Sequence, residues 1–283
     1  MRLDVVGPVF SKVFNPNNAI ASRLKHIIEP SYSVQRRTKI DSQDFIPRTS
    51  GAYDTVIGGT TQVSYGVANR FLVRQSSSPD QQSGSPRELL TMSLRQSYYT
   101  DERASQFDSS YSFGNQARKP SPFSPISLTA RAAPALPIGV DFRLEYDPTS
   151  VAEQKLLGFG LNGVMRTEMI ESTTGWSRQA FGNHSGARSN NYINQGTSVK
   201  FRDGKYGGSV TFNYDIGRSK LLNHRYIAFY SAQCCGVSFE FQEYDYSANT
   251  SILVPKDRRF NMSFTMAGVG SFSNFFGAFG GGT

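Results

Sequence analysis

From position 138 the chain reads IGVDFRLEYD, with Ile138, Val140, Phe142, Leu144 and Tyr146 separated one by one by Gly139, Asp141, Arg143, Glu145 and Asp147. Strict alternation puts five apolar side chains on one side of an extended strand and five small or charged ones on the other. The run is close to the roughly ten residues that a tilted strand needs to cross a bilayer, whereas strands of soluble sandwiches usually stop near five or six. Its polar side carries Asp, Arg and Glu in mid-strand, which a dry core rejects and a wet lumen accepts.

The same rhythm returns along the chain. Leu24, His26, Ile28, Pro30, Tyr32 and Val34 alternate with polar residues, as do Val63, Tyr65 and Val67, then Leu90, Met92 and Leu94. Later Val210, Phe212, Tyr214 and Ile216, and Phe260, Met262, Phe264 and Met266, repeat it. The stretch 226–246, YIAFYSAQCCGVSFEFQEYDY, predicts a hairpin that reverses at 233–236 with Cys234 and Cys235 at its tip. No apolar run approaches the roughly 18 residues of a membrane-spanning helix, and the mean hydropathy is −0.40. Alternation is how a membrane-spanning β-barrel conceals its hydrophobic surface from such an average.

The predicted fold class is therefore all-β: an antiparallel up-and-down transmembrane β-barrel, in part. Long polar links fall at 36–59, 100–124 and 179–194, and short ones near 15–22, 134–136, 203–205 and 233–236. Outer-membrane barrels place long loops outside and short turns inside, so 148–194 must hold two strands, over 155–164 and 168–178. The link 75–87 is then the one long connection on the short-turn side. The count comes to about thirteen strands, and single-chain bacterial barrels close with even numbers. That parity, with an opening MRLDVVGPVFSKVF that reads as strand and not as an export signal, predicts that first strands of a larger barrel precede this chain. The expected division is residues 1–271 as the barrel portion and 272–283 as a flexible tail.

A net charge of +8 and a pI near 9.5 favour anionic partners. The basic residues are scattered instead of gathered into one patch, which argues against nucleic acid. There is no G-x-S-x-G, P-loop or H-E-x-x-H, so no enzyme is predicted, and no cofactor. Nor is a metal: His26, His184 and His224 lack ligand-like spacing with the cysteine pair. The glycines of GFGLNG at 158–163 sit in a strand pattern and predict close packing or room in the lumen. Pro30, Pro122, Pro125 and Pro137 remove ladder donors and mark strand edges.

Arg95, Arg131, Arg143 and Lys200 fall on polar strand positions. They are candidate lumen residues that attract phosphate and carboxylate groups; the plainer expectation is pairing with Asp141, Glu145, Asp215 and Glu240 on neighbouring strands, since inward charges need partners. Adjacent cysteines rarely bridge each other, because the ring is strained. Cys234 and Cys235 thus read either as two unpaired thiols at a turn or as disulfide partners of a segment elsewhere.

Several stretches together carry a family resemblance. Ile28-Glu29-Pro30 with Tyr32, TQVSYGVANRF at 61–71, RELLTMSLRQSYY at 87–99, FSPISLTARAAP at 123–134, the Cys234-Cys235 tip and the closing Phe264, Gly268 and Gly270-Ser271 are collinear with the LptD family of lipopolysaccharide-assembly outer-membrane proteins. The chain resembles its C-terminal barrel portion. The resemblance implies a non-enzymatic barrel in the cell outer membrane that receives lipopolysaccharide from a periplasmic bridge protein through a jellyroll domain. It further implies release into the outer leaflet by a lateral seam, with a lipoprotein plug of the LptE type inside. It also implies that Cys234 and Cys235 form disulfides with an N-terminal region that this sequence lacks. The alternative expectation is a general outer-membrane porin or ligand-gated barrel, which would carry a constriction loop.

Overall fold

The computed structural model describes residues 1–16, 22–41, 57–74, 86–111, 113, 120–135, 137–149, 155–180, 190–202, 204–245, 256–266 and 270–273. Much of the expected long links, His184 and residues 274–283 of the expected tail lie outside them. Fifteen strands are described: β1 (Arg2–Val6), β2 (Phe10–Phe14), β3 (Arg23–Arg36), β4 (Thr61–Arg74), β5 (Arg87–Tyr99), β6 (Ile126–Ala135), β7 (Ile138–Tyr146), β8 (Leu156–Arg166), β9 (Ile170–Gln179), β10 (Asn190–Phe201), β11 (Tyr206–Asp215), β12 (Lys220–Ser231), β13 (Cys235–Tyr244), β14 (Asp257–Met266) and β15 (Gly270–Ser273). Helix is confined, among the described residues, to one 3₁₀ turn at Glu102–Phe107.

Two compact units share the chain, one of residues 1–160 and 178–189, the other of 161–177 and 190–283. In the first the strand order is β1-β3-β4-β5-β6-β7-β8, with β2 also on β3; in the second it is β8-β9-β10-β11-β12-β13-β14-β15. Neighbours in the order are neighbours in sequence and pair antiparallel, as in β3 against β4 from Arg23↔Arg74 to Arg36↔Thr61. This is the expected all-β, antiparallel up-and-down fold. The two strands predicted within 148–194 are β8 and β9.

The count is corrected. β1 and β2 lie on the same edge of β3 as one ribbon broken at Gly7–Pro8, so fifteen elements make fourteen ribbons among the described residues. The ribbon missing from the sequence count is β15, which takes Phe272 and Ser273 from the stretch read as tail. The break has a cause in β3. Pro30 accepts from the Gly7 amide, so its carbonyl and its missing N–H both point to this edge, where the ladder is interrupted, and the ladder to β4 stays continuous.

Register sorts the side chains of each unit onto two faces. In the first, Tyr32, Tyr65, Leu94, Leu128 and Leu144 stand on one face, and Ser33, Ser64, Ser97, Arg95, Ser127 and Glu145 on the other. In the second, Val210, Tyr226, Phe241 and Phe260 share one face, and Thr211, Arg225, Gln242 and Arg259 the other. Large apolar side chains stay open on one face of each unit. The exposed large apolar side chains of β3–β7 and of β10–β14 all lie on the apolar face of their unit, Phe239 at 41% and Phe264 at 43% among them. The apolar face is open in both units and the polar face is covered in part of the first, so aromatic sides packed against one another in a dry interior are not what holds these strands.

Candidate functional site

The long connection from β5 to β6 opens at Asp101, whose carboxylate accepts from the Arg103 amide and starts the 3₁₀ turn Glu102–Phe107. Hydrogen bonding to Arg103 holds the Asp101 carboxyl below its usual range. From there residues 101–111 and Phe113 run over the polar face of the first unit; we call this segment the strap. The sequence marked 100–124 as a long polar link and gave no path for it.

Three anchorages fix the strap. On β4 and β5, Asp108 accepts from the Gln62 amide at 2.9 Å and from the Tyr99 hydroxyl. Below them Ser97 sits within hydrogen-bond distance of Ser64, at 2.8 Å, and of the Tyr111 hydroxyl, at 3.4 Å. Burial raises the Tyr111 hydroxyl above the ordinary phenol range, so it stays protonated and able to donate. On β7, Glu145 is 0% exposed, pairs with Arg143 at 2.7 Å and accepts from the Phe113 amide at 2.9 Å. Arg143 also donates to the Ser110 carbonyl and lies over the Phe113 ring. On β8 a Cβ at Gly158 would come within 2.8 Å of the Phe113 ring, so only a glycine leaves room there. Of the glycines in GFGLNG, expected to serve close packing or to leave room, Gly158 meets both the Arg178 carbonyl at 2.6 Å and the strap's Phe113.

The four candidate basic residues all stand on the polar face of their units, and they divide. Arg131 pairs with Asp141 across β6 and β7 at 3.6 Å, and Arg143 with Glu145 along β7. Of the predicted acids, Glu240 takes Arg225 and Asp215 takes Arg218 instead. Arg95 and Lys200 are exposed and make no ion pair among the described residues. The sequence reading missed Tyr99, Asp108, Tyr111 and Phe113; its one pointer was the cluster of aromatics in an otherwise polar link.

In the second unit the predicted hairpin is β12 and β13, turning at 232–234, with Cys235 already in β13. Both thiols are exposed and their sulfurs stand 3.1 Å apart, beside a cleft of about 260 Å³ lined by Ser231, Gln233, Ser238 and Thr265 among others. No group of three or more His, Cys, Asp or Glu able to hold a metal occurs among the described residues.

These features define an antiparallel up-and-down β-sheet protein with an amphipathic sheet and a strapped polar face. No protein-family model and no curated protein matches the chain. Among solved structures it is similar to a mutant Rh. blastica porin at 9% identity and TM-score 0.32, over 93% of this chain and 90% of that one. A Rhodopseudomonas blastica porin triple mutant gives 9% and 0.33, over 96% and 93%, and a structure titled "Asymmetric conductivity of engineered proteins" 10% and 0.32, over 94% and 87%. At such scores the likeness assigns no role to any residue.

Proposed function

We propose that this chain is wall of an outer-membrane β-barrel whose work is to pass a hydrophilic solute along its polar face, with the strap narrowing the way. The inverted burial carries this reading: aromatic and aliphatic side chains lie open on one face, and Glu145, Ser97 and Tyr111 are buried on the other. An open apolar sheet face of this extent is unstable in water and stable against acyl chains. The strap supports a channel over a bare scaffold, being the constriction that the porin alternative called for. No step of bond chemistry is needed; the solute is selected by width and charge. The test is to export the full chain, purify it from outer membranes and place it in a planar bilayer. Discrete ionic current from a heat-modifiable species supports the reading, and a species that leaves the bilayer silent overturns it.

A second reading is lipopolysaccharide assembly, favoured by the collinear LptD-like stretches and by vicinal cysteines at a hairpin tip on the short-turn end. In it the saccharide follows the polar face while acyl chains stay in the bilayer, and a lipoprotein plug and periplasmic bridge protein are the partners. Depleting the protein in its own cell separates the two: loss of lipopolysaccharide from the cell surface selects assembly, and unchanged lipopolysaccharide with reduced solute uptake selects the channel.

A further inference from the structure

We infer that Arg95 sets the charge preference of the passage, binding oxyanionic groups of the solute beside the strap; this rests on the conduit reading above. The arginines on the polar face of the first unit include Arg70, Arg95, Arg131 and Arg143, on β4 to β7. Three are committed to acids. Arg70 pairs with Glu29 at 3.5 Å and Glu88 at 3.0 Å, Arg131 with Asp141, and Arg143 with buried Glu145. Arg95 makes no ion pair among the described residues, although Glu145 stands in register two strands away and Asp108 belongs to the strap. Glu145 is two strands away through Ser127 and is turned to Arg143 and the Phe113 amide. Asp108 is turned to Tyr99 and Gln62.

The surroundings of Arg95 fit an oxyanion instead. Its cross-strand partners are Ser127 on β6 and Gly66 on β4, and its neighbours along the face of β5 are Ser93 and Ser97. Gly66 is backed by the Leu94 carbonyl, 2.6 Å from where a Cβ would stand, so no side chain can grow there to cover the guanidinium. Arg95 is thus exposed, bordered by hydroxyls, and two residues below Ser97, which meets the strap's Tyr111. A planar guanidinium with five donors and no resident acid recognises phosphate, sulfate or carboxylate oxygens. Beside the strap, a cation with no ion pair among the described residues also attracts a passing anion and repels cations.

The experiment uses the full chain in planar bilayers under a potassium chloride gradient, with Arg95→Gln, Arg95→Glu and, for comparison, Arg131→Gln. Anion preference is expected in the parent, a roughly fivefold fall in the anion-to-cation permeability ratio in Arg95→Gln, and reversal in Arg95→Glu. Inorganic phosphate should reduce the chloride current of the parent and lose that effect in Arg95→Gln. Arg131, already neutralised by Asp141, should change the ratio less than twofold. Equal heat-modifiability of all variants shows that folding is not the cause. If current flows and its polarity is indifferent to Arg95, this inference falls and the conduit stands; if no current flows in the parent, both fall.

Discussion

The two units present the same apolar face and unlike polar faces. In the first, the strap and the strand ends beneath it bury Tyr99, Tyr111, Ala104, Ser97, Ser105, Ser124 and Glu145; in the second, only Gly175 and Asp215 are buried among the described residues. The second unit keeps its polar side open and satisfies it pair by pair, as in Arg225 with Glu240 and Ser238 with Ser263. Strand patterning alone therefore yields a bilayer-compatible sheet, and a covered polar side arises only where a connection folds back. The amphipathic sheet is written in the strands, and the covering of the first unit's polar side in one link.

Two carboxylates test that contrast most severely. Glu145→Ala in the first unit strands Arg143 and the Phe113 amide, and should cost about 3 kcal/mol in unfolding and widen the single-channel conductance. Glu240→Ala in the second removes a pair whose side chains are 44% and 22% exposed, and should cost under about 1 kcal/mol and leave conductance alone. Equal costs would erase the distinction. The apolar faces should behave alike: Leu94→Arg and Phe239→Arg, each in mid-strand, should each lose about 2–3 kcal/mol in lipid-based unfolding.

Two glycines of β8 sharpen it further. Gly158→Val collides with Phe113 and with the Arg178 carbonyl, 2.6 Å from the new Cβ, and should cost about 1–2 kcal/mol with loss of hydrogen-exchange protection in the strap. Gly163→Val meets only the Thr174 carbonyl at 3.9 Å and should be near neutral. The smallest effect concerns Asp101. Its pairing with Arg103 lowers its carboxyl, so the stabilisation it gives the strap is present at neutral pH and is lost as pH falls through the carboxylate range. Asp101→Asn should loosen the 3₁₀ turn by about 0.5–1 kcal/mol and remove this pH dependence, read by hydrogen exchange over 102–107.

What the sequence made legible follows the physics of each part. β7 could be read residue by residue because a two-residue period is imposed by unlike solvents on its two sides. β9, IESTTGWSRQ, has no such clean period and was placed by the side on which loops must fall. β15 was missed because GSFS is too short and too rich in small residues to carry a period. The strap was missed for a different reason. Its contacts join Asp108 to Gln62 and Phe113 to Glu145 across long separations, and a polar link folded inward has the composition of one that points out. The aromatics in this otherwise polar link were its one pointer.

The central claim is that water and lipid meet these strands on opposite faces, and β7 gives the most direct measurement. In a background of Cys234→Ser and Cys235→Ser, single Phe142→Cys, Arg143→Cys, Leu144→Cys and Asp141→Cys variants are spin-labelled in outer membranes, and collision with lipid-soluble oxygen is compared with collision with a water-soluble nickel chelate. Labels at Phe142 and Leu144 should favour oxygen, and those at Asp141 and Arg143 the chelate. Chelate access at all four, or at none, would contradict the account.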